Sequence, residues 1–222
     1  MAAESQTEGV VLIHGLGRTR FSMWPMARRL RAAGWPVTIA SYPSLRLSIE
    51  ASADRVADQV ADCAHADGWR QVNLVGHSLG GLIARHLVQH RPELNVRRVV
   101  QMGTPNGGTE VARRLAPWAL ARWILGPVLG QVAAFKPRAA QIASVGSIAG
   151  TGAPGWLGRH FGLSGPNDGL VTVRSAWTGA GARAAAPVFH TFLPASAVTA
   201  GLVSRFLSTG SFAGEFSGES TP

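Results

Sequence analysis

The chain of 222 residues contains a single cysteine, Cys63, which excludes an intramolecular disulfide. No cysteine and histidine cluster carries zinc-ligand spacing, so neither a metal nor another cofactor is expected. Charged residues make up only 15% of the chain against 46% hydrophobic, which excludes a disordered polyelectrolyte and favours a buried core. Acidic side chains are scarce, and the net charge is +9. That balance comes from arginines scattered as singles and pairs plus the lone Lys136, with no basic run and no interleaved aromatic platform, so nucleic-acid binding is not expected. The opening "MAAESQTEGVVLIHG" has no basic segment followed by an apolar export core, and a cytoplasmic location is the expectation. The most apolar stretch, residues 111–134, is broken by Arg113, Arg114, Pro117, Arg122 and Pro127, which excludes a spanning helix of about 20 apolar residues.

What is present is an alternation of short apolar runs and longer helical patterns. "GVVLIHGLG" reads as a buried strand entering a glycine turn, and a helix over residues 23–33 follows it. "WPVTIASYP" reads as a second strand. Over residues 48–66, Ile49, Ala53, Val56, Val60 and Cys63 recur at the helical period, while Asp54, Asp58 and Asp62 line another face, read as solvated. "RQVNLVGHSLGG" is a third strand leading into the helix "GLIARHLVQH", and "VRRVVQMGTP" is a fourth. "IASVGSIAGTG" reads as a fifth strand, "APVFHTFLP" as the end of a sixth, and a last helix covers residues 196–206. Strands joined through helices need crossover connections, so the fold class is α/β with a mostly parallel sheet of about six strands flanked by helices. The expected organisation is a flexible N-terminus at 1–8, one domain over 9–209 with a cap segment at about 109–140, and a disordered tail at 210–222.

The chemistry lies in Gly76-x-Ser78-x-Gly80, set between a buried strand and a helix. A turn that sharp holds its central residue in a strained conformation and needs glycine on either side, so the hydroxyl is thrust into the open. Serine is a poor nucleophile unless a histidine removes its proton, and that histidine needs a carboxylate to fix its tautomer. The serine on a strand-turn-helix turn resembles the α/β-hydrolase arrangement, in which the acid and then the histidine follow the serine along the chain. After Ser78 the only aspartate is Asp168, in the turn "SGPNDGLV", and after Asp168 the only histidine is His190. Glu110 is the reserve acid, while His86, His90 and His160 stand in the wrong places along the chain. An oxyanion needs two preorganised donors, assigned to the N–H groups of Leu79 and of Leu16 in the turn "HGLGR". His14 is read as shaping that turn, and His77 as packing behind the serine.

Taken together, "VLIHGLGRT", "VNLVGHSLGG", "MGTPNGGTEVA", "GPNDGLV" and "HTFL" resemble the α/β-hydrolase superfamily, and within it the small bacterial lipase and esterase group. The resemblance spans residues 10–207 and implies a compact α/β-hydrolase fold. It implies a carboxylic ester hydrolase with Ser78, Asp168 and His190 as the triad and Leu16 and Leu79 as oxyanion donors. Secreted members carry an export signal, often a disulfide and sometimes calcium. None of these is evident here, so an intracellular esterase is expected ahead of an extracellular lipase.

The resemblance places residues 109–140 as a cap, where Trp118, Trp123, Ile124, Leu125, Val128 and Leu129 could line an acyl pocket or else complete the core. Trp118, Trp123 and Leu125 are taken as the substrate-binding candidates. The expected partner is a small-molecule ester or lipid, with transient contact at a membrane surface left open. Thioesterase, acyltransferase, amidase or lipid-anchor deacylase activity uses the same triad and stands as the alternative. A non-catalytic binding protein on the same fold is the reading from a different class, and an intact triad argues against it.

Overall fold

The computed structural model describes residues 8–115, 117, 126, 128–135, 144–160 and 162–213. Among these residues, strands β1 (Glu8–Ile13), β2 (Val37–Ile39), β3 (Gln71–His77), β4 (Val96–Met102), β5 (Ser144–Gly150) and β6 (Ala182–Ala186) form one sheet in the order β2-β1-β3-β4-β5-β6. Every neighbouring pair is parallel. The helices are α1 (Trp24–Ala32), α2 (Ile49–Ala66), α3 (Leu79–His90), α4 (Glu110–Leu115), α5 (Val128–Ala134), α6 (Gly155–His160), α7 (Val173–Ala176) and α8 (Ala197–Thr209).

The continuous apolar runs follow from burial on both faces of the sheet. Val11, Ile13, Val72 and Leu74 face α2 and α3 in one core, while Val10, Leu12 and Val75 face α1 and α8 in a second. Helix α2 shows how the pattern works locally. Ser48 Oγ caps it by accepting from the Ala51 N–H at 3.2 Å, and Ile49, Ala53, Val56 and Val60 are buried where the helical period places them. Fully buried valines such as Val56 and Val60 contribute roughly 1.5–3 kcal/mol each. Asp54, Asp58 and Asp62 lie on the exposed side, as their spacing implies.

The sixth strand differs from its expected position. It occupies the alanine-rich Ala182–Ala186 and stops there, and His190–Ala195 forms a 3-10 turn. Pro187 has no N–H to give the ladder, and the Val188 N–H turns back to the Ala186 carbonyl at 2.7 Å, so the chain leaves the sheet before "VFHTFLP". The last helix then begins at Ala197 under a Ser196 cap and ends at Gly210, whose φ of 75° takes the left-handed conformation.

The strand order sets where a ligand can sit. After β1 the chain passes to α1 on one face, and after β3 it passes to α3 on the other, although β1 and β3 are neighbours paired from Glu8↔Gln71 to Ile13↔Gly76. Connections that diverge in this way leave a crevice beyond the carboxyl ends of the two strands. The turn at residues 14–17 and Ser78 both lie at that crevice.

Candidate active site

Ser78 joins the end of β3 to the start of α3 with φ 53° and ψ −118°, one of two non-glycine residues with positive φ among the described residues. Such a conformation costs on the order of 1–3 kcal/mol and persists only where the surroundings impose it. They do so here through close backbone approach. A Cβ on Gly76 would overlap the Gly80 carbonyl, and one on Gly80 would overlap the Ile13 carbonyl oxygen, so either alanine would push the turn apart. The Ser78 N–H donates to the Met102 carbonyl at 2.9 Å, which fastens the turn to β4.

Across the crevice, the turn after β1 is held by buried groups. His14 is fully buried and stacked on Tyr42 with ring centroids 4.3 Å apart, and the Tyr42 hydroxyl donates to the His14 carbonyl at 2.6 Å. His14 Nδ1 donates to the Gly15 carbonyl at 3.0 Å. Burial holds the His14 imidazole below its ordinary pKa and lifts the Tyr42 phenol above its own. His14 therefore stays neutral and shapes the turn that carries Leu16. Leu16 and Leu79 both line the cavity beside Ser78.

Asp168 and His190 meet from two loops. His190 Nδ1 lies 2.8 Å from Asp168 Oδ2, and the His190 backbone N–H donates to the Asp168 carbonyl at 2.9 Å. The second carboxylate oxygen, Oδ1, accepts from the N–H groups of Leu170 at 3.0 Å and Val171 at 2.8 Å. With Nδ1–H pointing at the carboxylate, the neutral ring keeps Nε2 as its bare, proton-accepting nitrogen. Asp168 is 1% exposed, so its charge is delivered to His190 rather than to solvent. Glu110, the reserve acid, instead pairs with Arg113 at 2.7 Å on α4.

The sequence reads His77 only as packing and misses its hydrogen bond to the histidine loop, and the supporting roles of Gly103, Gln101 and Asn106 escape it as well. His77 Nε2 donates to the His190 carbonyl at 3.0 Å, and the two rings sit 4.8 Å apart. Burial above all, then the neighbouring His190, pushes the His77 imidazole well below its ordinary pKa, so it is a neutral strut. Gly103, with φ 58°, lies against the acid and base: a Cβ there would come within 3.0 Å of both Asp168 Oδ2 and His190 Nδ1. Gln101 and Asn106 exchange amide hydrogen bonds at 2.9 and 3.1 Å, and they reach the carbonyls of Gly81 and Ala176. This pins the "MGTPNGG" segment between α3 and α7. The motif was visible, but the pairing of its two amides across a turn was not.

A cavity of about 320 Å³ opens at Ser78 and His190, with Val111, Ala112, Val132 and Leu170 among its walls. Helices α4 and α5 of the expected cap thus reach the cavity, whereas Val128 is fully buried in the α2 and α3 core. Thr109 Oγ1 donates to the Leu170 carbonyl at 2.6 Å. Gln131 ties α5 to the start of α2 through the Ile49 N–H and Glu50, both at 2.8 Å. Trp118, Trp123, Ile124 and Leu125 lie outside the described residues. Among the described residues no helix is long and apolar enough to cross a membrane.

The profile of the family described as palmitoyl protein thioesterase matches residues 9–141, more than half of the chain. The chain belongs to the palmitoyl protein thioesterase family. The matched part holds Leu16, Ser78 and Leu79 and ends before Asp168 and His190, which the family match therefore leaves to the geometry. The chain is 39% identical over 66 residues to a triacylglycerol lipase of Pseudomonas fragi, and 31% identical over 111 residues to one of Pseudarthrobacter phenanthrenivorans. These alignments take in 30% and 46% of this chain but only 22% and 34% of the relatives' own lengths. Among solved structures it is similar to the Bacillus licheniformis lipase BlEst2 in mature form, with a TM-score of 0.73, 18% identity and 93% of each chain covered. The fold of this family member is thus that of the α/β-hydrolases, in their lipase and esterase-like group.

Proposed function

We propose that the chain is a serine hydrolase that cleaves carboxylic esters by way of an acyl-enzyme. The observation that carries this reading is that His190, held by Asp168, and a serine strained at φ 53° line one apolar cavity. His190 Nε2 takes the proton of Ser78 Oγ as the oxygen attacks the ester carbonyl. The oxyanion is received by the N–H groups of Leu16 and Leu79, the second belonging to the first turn of α3, where helix N–H groups have no partner within the helix. Collapse expels the alcohol with the proton from His190. Water then repeats the sequence, with His190 again as base, and releases the acid. Asp168 holds the ring in register and balances the imidazolium at each stage.

Residues 9–209 act as one domain in this reading, with 109–140 as a cap over the acyl group. The family match favours a thioester as a second substrate class, since the same attack on a thioester expels a thiol. The test is hydrolysis of chromogenic acyl esters and matched thioesters of increasing chain length by the protein and by Ser78→Ala. Loss of turnover by several orders of magnitude in Ser78→Ala is expected. Equal rates in the two proteins would remove the nucleophile assignment, and the ratio of thioester to ester turnover decides between the two substrate classes.

A further inference from the structure

One charged side chain on the cavity wall has no part in the steps above. Arg18 follows the oxyanion turn and lines the same cavity as Ser78, whose walls are otherwise mostly aliphatic. Its position is fixed from both ends. The backbone turn is closed by the Arg18 N–H donating to the Gly15 carbonyl at 3.3 Å, and the Gly17 N–H donates to Ser44 Oγ at 3.1 Å. The guanidinium Nη2 donates to Thr191 Oγ1 at 3.1 Å, next to His190. Arg18 thus bridges the oxyanion turn and the histidine loop.

Among the described residues, Arg18 has no carboxylate partner. Ion pairs among the described residues include Asp54 and Glu93 with Arg91, Glu8 with Arg97, Glu110 with Arg113 and Asp168 with His190. Arg20 and Arg31 line a separate pocket and are occupied there: Arg20 lies over the Phe21 ring at 5.4 Å, and Arg31 donates to the Val37 carbonyl at 2.7 Å. A guanidinium has five donors, and the Thr191 bond uses one. Arg18 is exposed at the mouth of the cavity in a chain of net charge +9, so its free donors can meet an anionic group as the substrate enters.

We propose that Arg18 seats an anionic oxyacid group, carboxylate or phosphate, carried by the leaving alcohol or thiol of the substrate. The inference rests on the acyl-transfer reading of Ser78. The side follows from the chemistry: His190 must hand its proton to the leaving atom, so the leaving group lies over the histidine loop, where Thr191 holds Arg18. The aliphatic wall from Val111, Ala112 and Val132 is left to the acyl chain.

The test compares ethyl butyrate, butyryloxyacetate and butyryloxyethyl phosphate, which share an acyl group and differ in the charge of the alcohol. In the wild type, kcat/KM for at least one anionic ester exceeds that for the neutral ester by about tenfold, mainly through KM, and added salt lowers that ratio. The larger of the two anionic ratios tells carboxylate from phosphate. In Arg18→Gln the ratio falls towards one, and in Arg18→Lys it is partly kept, because the charge remains while the planar fork is lost. A wild-type ratio near one, or a ratio that Arg18→Gln leaves intact, overturns the proposal. Equilibrium binding of the same esters to Ser78→Ala, with and without Arg18→Gln, separates this from failure of the hydrolase reading. Arg18-dependent binding of the anionic ester without any wild-type turnover would sink ester hydrolysis and keep the anion seat, whereas turnover with charge-blind binding would do the reverse.

Discussion

On the sheet side of the cavity both oxygens of Asp168, the His190 amide and ring, and the His77 ring are engaged in hydrogen bonds. The facing side, from α4 and α5, presents Val111, Ala112 and Val132, and is anchored through Thr109 and Gln131. The first wall is specified by direction, since each hydrogen bond fixes an angle as well as a distance. The second is specified by volume, and aliphatic volume tolerates exchange. Reaction chemistry should therefore respond steeply to changes in the first wall, and substrate range should respond gradually to changes in the second.

The steepest break in that comparison is Asp168→Asn. The amide keeps the shape but offers an N–H where His190 Nδ1–H needs an acceptor, so the ring turns or takes the wrong tautomer. A fall in kcat of about four orders of magnitude is expected for cleavage of a short acyl ester. Far-UV circular dichroism should be unchanged, which separates the chemical effect from unfolding. A loss of less than about tenfold would mean that Asp168 does not orient the base.

Next comes Gly103→Ala. The added methyl group would meet Leu193 Cδ1 at 2.7 Å as well as Asp168 and His190 at 3.0 Å, on a backbone with φ 58° that alanine resists. Expected are a loss of stability of about 1–3 kcal/mol in urea titration and a fall in kcat on the order of tenfold or more. Unchanged kcat with reduced stability would show that the Asp168–His190 pair absorbs the displacement.

These two positions also mark how much could be read from the chain itself. Asp168 was found because the aspartates and histidines after Ser78 are so few that one order of residues remained. The sheet was legible because strands buried on both faces are written as unbroken apolar runs, and α2 because its apolar and acidic positions keep the helical period. Strand β6 was not, because an alanine-rich edge strand interrupted by Arg183 carries no strand signature, while the more apolar "PVFHTFLP" beside it does. Gly103, Gln101 and Asn106 were hidden for a different reason. Their roles depend on what lies across a turn or a loop: Gln101 meets Asn106 across the turn and Gly81 on α3, Asn106 reaches Ala176, and Gly103 faces Asp168 and His190, none of which local spacing encodes.

A milder break uses acid. His77 and His14 are buried with pKa values held below the ordinary 6.5, chiefly by desolvation. Between the folded and unfolded values the unfolded chain binds protons that the native state does not, so stability is full above about pH 6.5 and declines as the pH falls below it. Each histidine steepens that decline by up to about 1.4 kcal/mol per pH unit. Urea midpoints at about pH 7.5 and about pH 5 should differ in the wild type and differ less in His77→Gln, which keeps a donor for the His190 carbonyl. An unaltered difference would mean that His77 does not contribute to the acid lability of the sheet-side wall.

The gentlest change, and the one that sharpens the contrast most, is at Val132 on the cap side. Its side chain lines the cavity while its other contacts lie in the α2 and α3 core, so volume added there points partly into the substrate space. Val132→Phe should shorten the preferred acyl chain, lowering kcat/KM for long esters relative to butyrate by a few-fold up to about tenfold, since a methylene kept from burial in an apolar pocket costs about 0.8 kcal/mol. Val132→Ala should move the ratio the other way by a smaller factor, because the neighbouring aliphatic groups relax into part of the space. The decisive quantity is the long-to-short ratio within each variant, which cancels any general loss from overpacking. If both substitutions leave that ratio unchanged while altering stability, Val132 belongs to the core alone, and the acyl chain runs elsewhere along the cap.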